Sequence, residues 1–145
     1  MRGFTLIELL VVLTIIGVLA TFATVNFLGT QSRARDAQRK ADVQQIRSAL
    51  EFYRSDTGSY PLPVAGAVRV CGAYFRYPDP GGVLYMQKMP CDPLTNNAYR
   101  YVSNGTTYSL ISCLENVNDK QKDAANNATY CAGGSTNWSY TLTNP

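Results

Sequence analysis

The sequence predicts an α+β protein: one long N-terminal α-helix packed on a small antiparallel β-sheet. Three observations lead there. No proline interrupts the chain between Phe4 and Tyr60, and this stretch changes midway from uniformly apolar to amphipathic. Two β-prone runs, Ala98–Val102 and Thr106–Ser112, flank Ser103-Asn104-Gly105, a strong hairpin cue. Four cysteines, Cys71, Cys91, Cys113 and Cys131, all lie downstream of the apolar run, the pattern of a small domain cross-linked by two disulfides in an oxidising compartment.

The first element starts at Phe4. From there to Leu28 the chain is apolar except for a single charge, Glu8. The run is long enough to span a bilayer as a helix. A carboxylate in hydrocarbon is expensive even on the most lenient insertion scale, so Glu8 needs a partner. A secretory signal has a shorter apolar core, about 7–15 residues, followed by a cleavage site of small residues. Here Phe27 and Leu28 continue the apolar run past Ala20 and Ala23. A simple membrane anchor matches the length but leaves Glu8 unexplained.

Beyond Leu28 the helix becomes amphipathic. Val43, Ile46, Leu50 and Tyr53 recur at steps of three and four, with Ala41 and Ala49 beside them, and this stripe is expected to be core. Arg39, Lys40, Arg47, Glu51 and Arg54 are assigned to other faces. Ser55-Asp56-Thr57-Gly58 reads as the stop, with Gly58 as C-terminal cap and Pro61 beyond it. A helix from Phe4 to about Arg54 would be roughly 75 Å long.

The remainder forms one small domain. Pro61–Gly82 reads as a loop region with room for a short helix or strand, tied down by Cys71. Gly81–Met89 fits either a helical turn or a strand, and Met89-Pro90-Cys91-Asp92-Pro93 marks a turn. In the hairpin, Tyr99 and Tyr101 share one face, as do Tyr108 and Leu110 of the partner strand, and these side chains are expected to cover the Val43–Tyr53 stripe. Asn137–Leu142 reads as a last edge strand, with Trp138 either packed or at a subunit contact. The ten tyrosines are assigned to packing rather than to a ligand platform.

Composition excludes several chemistries. The chain has no histidine, which removes imidazole-activated serine and cysteine nucleophiles. No glycine-rich phosphate loop joins a strand to a helix. A four-cysteine zinc site is disfavoured because no two cysteines are closely spaced. No enzyme is expected. The net charge of +3 neither demands nor excludes an acidic partner.

The start Gly3-Phe4-Thr5-Leu6-Ile7-Glu8 resembles the prepilin signature of type IV pilins and of type II secretion pseudopilins, and the resemblance continues through Gly17 and Asn26 to Tyr60-Pro61. It implies a pilin-like fold and the following division: leader 1–3, membrane-spanning or filament-core segment 4–28, amphipathic half 29–57 of the same helix, and a disulfide-bonded domain 58–145 with hairpin and variable loop. It also implies a membrane peptidase that cuts after Gly3 and N-methylates the new terminal residue, Phe4. The three-residue leader is short for the family, which points to a trimmed start.

After such a cut the Phe4 amine would sit at the positive end of the helix dipole, where a cation is unfavourable. Glu8, four residues on, is within reach of that amine, and equally of the amine of a neighbouring subunit. The residues leave both open; the resemblance implies the intersubunit pair. It further implies an N-terminus in the cytoplasm, a single pass through the cytoplasmic (inner) membrane among its lipids, an extracytoplasmic domain, and later a cell-surface or periplasmic filament. The positive-inside rule argues the opposite, because Arg33, Arg35, Arg39 and Lys40 outnumber Arg2 and the initiator amine. The cysteines and the prepilin motif are given precedence. The basic cluster is expected either to face Asp36, Asp42 and Glu51 on neighbouring subunits or to form a solvated face. The family commonly has proline where Val25 stands, and this chain lacks that cause of local helix melting.

For the cysteines, the residues alone allow three connectivities. Many pilins close the C-terminal loop with a disulfide, so the resemblance implies Cys113–Cys131, with Cys71–Cys91 as the other pair. Met89-Pro90-x-Asp92-Pro93 followed by Tyr99-x-Tyr101 resembles the segment leading into the sheet of the major pseudopilin of type II secretion, which carries calcium in the following loop. The matching stretch, Glu115–Asp123, offers Asp119, Asp123, Asn116 and Asn118 as oxygen ligands. Lys120 and Lys122 interrupt it and the spacing matches no calcium motif, so a solvated loop without cofactor is the expectation.

Together these readings predict a structural subunit of a homo-oligomeric helical filament, stacked through its apolar helices. An inner-membrane platform and an assembly ATPase would act from outside, since the chain has no nucleotide site. The Met89–Tyr101 stretch leans towards a secretion pseudopilus, and the cysteine pairs and long C-terminal loop towards a surface pilus. An alternative of another class is a monomeric membrane-anchored extracytoplasmic binding module that uses the Cys113–Cys131 loop. A DNA-binding pilin is disfavoured, because Arg33–Lys40 would be partly buried in a filament.

Overall fold

A computed structural model describes residues 3–63, 70–78, 80–132 and 137–145, with the side chains of 22–28 outside the description. Met1 and Arg2, and the side chains of Val25 and Asn26, therefore lie outside the described residues.

One helix, α1, runs without a break from Leu6 to Thr57, 52 residues, or about 78 Å at the standard rise. It starts two residues later than the sequence predicts, because Thr5 is its N-cap. Glu8 N–H donates to Thr5 Oγ1, and Thr5 N–H donates to Glu8 Oε2, a reciprocal capping box. Gly58 ends the helix with φ of 82°, in the left-handed region that glycine adopts without strain, and donates its N–H to Arg54 O.

Two antiparallel sheets pack on the distal half of α1. The smaller joins β1 (Phe75–Tyr77) to β2 (Val83–Met86). This resolves the Gly81–Met89 alternative in favour of a strand. The larger has the order β3-β4-β5, formed by Arg100–Ser103, Tyr108–Leu114 and Trp138–Thr143. The hairpin strands are displaced towards the C-terminus relative to the β-prone runs. Asn104 Oδ1 accepts from the amides of Thr106 and Thr107, which takes both residues into the loop, so that Ser103 pairs with Tyr108. Ala98 instead forms an isolated bridge with Cys91.

The core lies between α1 and the sheets. Val43, Ile46, Ala49, Leu50 and Tyr53 from the helix meet Phe75, Met89, Tyr99, Tyr101, Tyr108, Leu110 and Leu114, with Tyr140 from β5. The architecture is the α+β, pilin-like arrangement the sequence predicts. Tyr60 ties the end of α1 to the hairpin: its N–H donates to Gly105 O and its ring meets that of Tyr108 edge-on.

The buried stripe of α1 is longer than its apolar part. It runs through Asp36, Arg39, Val43, Ile46, Leu50 and Tyr53 at alternating steps of three and four. Ala41 is exposed. Arg39, assigned from sequence to another face, is only 2 % exposed.

Candidate assembly site and the joint between helix and head

The proximal half of α1 carries the prepilin-like residues. Gly3 and Phe4 precede the cap and are exposed. Among the described residues none before Asp36 is buried, and the apolar side chains from Leu6 to Leu19 are all open to the surroundings. Among the described residues no helix is long and apolar enough to cross a membrane. The apolar run continues in sequence through 22–28, whose side chains lie outside them.

Glu8 is engaged within its own chain. Besides the Thr5 amide it accepts from Thr5 Oγ1 at 2.7 Å. Reading Glu8 only as a partner for an amine overlooks this role. The signal is present in the sequence, since Thr5-x-x-Glu8 ahead of an apolar run is a capping-box signature.

Where α1 meets the head, a cluster of charges replaces apolar packing. Arg39 donates from Nε and Nη2 to Asp92, and from Nη1 to Asp36 and to Glu115. Arg35 completes the group with two bonds to Glu115, of 2.8 and 2.6 Å. Asp36 turns its carboxylate towards the head and accepts the amides of Glu115 and Asn116. Lys40 Nζ reaches Asp119 at 2.8 Å. The expectation that these basic residues face carboxylates on other subunits, or form a solvated face, is corrected for Arg35, Arg39 and Lys40. The chain folds its own carboxylates onto them. Arg33 is exposed. Asp42 and Glu51 are also engaged internally: Asp42 accepts from the Tyr99 hydroxyl, and Glu51 from those of Tyr60 and Tyr108.

The electrostatics follow the geometry. Burial works to raise Asp92, but the Arg39 guanidinium and the amides of Thr95 and Leu94 outweigh it and hold that carboxyl at about 2. Arg35 lowers Glu115 against the effect of burial, and Lys40 does the same for Asp119. Burial raises Asp42, with the Tyr99 hydrogen bond acting in the opposite sense.

The cysteines pair as Cys71–Cys91 and Cys113–Cys131. The first pins the segment before β1 to the Asp92 turn. The second attaches the loop after β4 to that strand. Of the calcium candidates, Asp119 is on Lys40, and Asp123 turns towards β5, where Thr141 N and Oγ1 donate to it. Asn116 Oδ1 accepts the Asn118 amide. Among the described residues no three acidic, cysteine or histidine side chains gather as a metal site would require.

Comparison with known proteins shows the family. The family described as type II secretion system (T2SS), protein G, matches residues 26–130, and the prokaryotic N-terminal methylation motif matches residues 1–24. The chain belongs to the type II secretion protein G family. It is 34% identical over 108 residues to the type II secretion system core protein G of Vibrio cholerae, covering 71% of each chain. The match to the core protein G of Escherichia coli is 33% over 119 residues, covering 77% of this chain and 79% of that one. For Pseudomonas aeruginosa the figures are 33% over 107 residues, 72% and 75%. No solved structure matches significantly. The Met89–Tyr101 stretch lies inside the matched region. The two disulfides and the long loop, which lean towards a surface pilus, do not mark one here. The methylation motif gives this member a prepilin-type N-terminus.

Proposed function

We propose that this chain is a structural subunit of a type II secretion pseudopilus, cut between Gly3 and Phe4, N-methylated on Phe4, and assembled through the apolar half of α1. The observation that carries the reading is the exposed apolar flank Leu6–Leu19, which stands clear of the head and bears one acid, Glu8, at its tip. Such a flank needs a non-aqueous surrounding. Before assembly that is lipid, and afterwards the same flank of other copies in a helical, non-closing array. The working division is leader 1–3, apolar segment 4–28, amphipathic segment 29–57 and head 58–145.

Glu8 is proposed to exchange partners. In the uncut chain it caps α1 through Thr5. After the cut it receives the Phe4 amine of a neighbouring subunit, and pairing relieves the desolvation of both ions. That favours one register of stacked helices over slipped ones. The N-terminus lies in the cytoplasm and the head outside, where an oxidising compartment supports its two disulfides. Platform, ATPase and processing peptidase are separate proteins.

Two measurements test this. Mass spectrometry of the mature chain is expected to find N-methylated Phe4 at the N-terminus; a chain that keeps Met1, or starts after Ala23, removes the processing step. Glu8→Ala is expected to abolish or severely slow fibre growth while the head still folds. A monomeric anchored binding module predicts the opposite, because an anchor inserts better without the charge.

A further inference from the structure

The stretch Glu115–Asp123 is where the resemblance to major pseudopilins implies a divalent cation, and this chain's residues do not fit one. A hard cation takes six to eight oxygen ligands with free lone pairs. Here the carboxylate oxygens are already in use. Glu115 holds Arg35 and Arg39, and Asp123 gives both carboxylate oxygens to Thr141. Asp119 accepts from Lys40 Nζ through Oδ2 and from the Gln121 amide through Oδ1.

Two ammonium groups enter the loop from different sides. From the helix, Lys40 Nζ donates to Asp119 Oδ2 at 2.8 Å and to Gln121 Oε1 at 3.0 Å. From the loop itself, Lys122 folds back so that Nζ donates to the backbone carbonyl of Val117 at 2.6 Å. The same Nζ lies 3.9 Å from the centre of the Trp138 ring, whose indole N–H donates to Asp123 O at 2.6 Å. The Lys122 ammonium therefore bonds a backbone carbonyl and rests on the electron-rich face of an aromatic ring, two contacts suited to a cation. Trp138 joins that cation to β5.

We infer that this loop is closed by two lysine ammonium groups of the chain, Lys122 at Val117 and Trp138 and Lys40 of α1 at Asp119 and Gln121, in place of a divalent cation, so that its folded form is independent of calcium. A calcium ion entering here would have to displace hydrogen bonds already made and approach two fixed positive charges. The inference is independent of the filament reading, since it concerns only the head and its joint with α1.

The experiment uses the full chain in detergent micelles, following thermal unfolding and amide hydrogen exchange of the 115–123 segment. The probes are millimolar calcium chloride and EDTA. The wild type is expected to melt at the same temperature and exchange at the same rate in both. Lys122→Met, which keeps the aliphatic stem over Trp138, is expected to speed exchange at Asp119, Gln121 and Lys122→Met itself by about tenfold, the effect of losing one charged hydrogen bond. Calcium that raises the melting temperature of the wild type, or slows exchange in its loop, overturns the inference without any need for the variant. A loop that exchanges at the wild-type rate in Lys122→Met overturns it as well.

Discussion

Arg39 Nε lies 2.6 Å from Asp92 Oδ2, across 53 residues of sequence. The pair joins the middle of the long helix to the turn that opens the larger sheet. Asp92 also accepts the amides of Leu94 and Thr95 on Oδ1, so one carboxylate both shapes the turn and receives the guanidinium. With Asp36 and Glu115 on the other side, Arg39 is the hub through which the head is oriented on α1.

Removing that hub leaves three carboxylates facing one another with little solvent. Arg39→Met is expected to cost about 3–5 kcal/mol, the usual penalty for breaking a buried ionic group by deleting one partner. Arg39→Lys is expected to recover only part of this, because one ammonium cannot reproduce the forked geometry. Urea unfolding of the full chain in detergent reads both. A loss below ~1 kcal/mol for Arg39→Met would place the cluster among exposed pairs of little value.

Acid should loosen the same joint. The folded-state value of Asp92 lies below its ordinary value of 3.8, at about 2. Its contribution, about 2 kcal/mol, is therefore fully present above pH ~4 and is lost as pH falls towards 2. Glu115 and Asp119 are lowered too and act in the same direction. Asp42 is raised by burial and opposes them, since its protonation favours the folded form. The net expectation is a fall in stability on acidification below pH ~4, with a shallower slope in Asp92→Asn. Identical slopes in the two proteins would remove Asp92 from the account.

The Cys113–Cys131 bridge closes a sequence separation of 18 residues. Replacing both cysteines with serine is expected to lower stability by about 3 kcal/mol in the chain-entropy model. Peptide mapping under non-reducing conditions should recover Cys71 joined to Cys91 and Cys113 joined to Cys131, and a shuffled map would contradict the fold around β4.

Tyr99→Phe removes the donor to Asp42 Oδ2 at 2.7 Å, where both side chains are buried. The carboxylate then loses a hydrogen bond that it cannot readily replace from solvent, a loss of about 1–3 kcal/mol at neutral pH. Protonation of Asp42 relieves part of it, so the difference between Tyr99→Phe and wild type should shrink on acidification. A difference that stays constant down to pH ~4 would mean the hydroxyl matters only for packing.

The parts of this fold legible from sequence are those governed by local pattern. Proline absence, the 3.6-residue repeat from Val43 to Tyr53 and the Gly58 stop predict α1, and Asn104-Gly105 between tyrosine-rich runs predicts the hairpin. The motif Gly3–Glu8 points to the family, because it is contiguous and specific. Partnership at a distance was not legible. Arg39 sits at a position that a hydropathy pattern assigns to solvent, yet it is buried, because Asp92 and Glu115 arrive from segments 53 and 76 residues away. The Lys122 ammonium looks in sequence like an obstacle to a cation loop, yet in the fold it bonds the Val117 carbonyl and meets the Trp138 ring, which returns on β5 beside it. Periodicity reports which face of a helix is apolar; whether a charge can be buried depends on counter-charges and carbonyls that the folded chain alone brings within hydrogen-bonding distance.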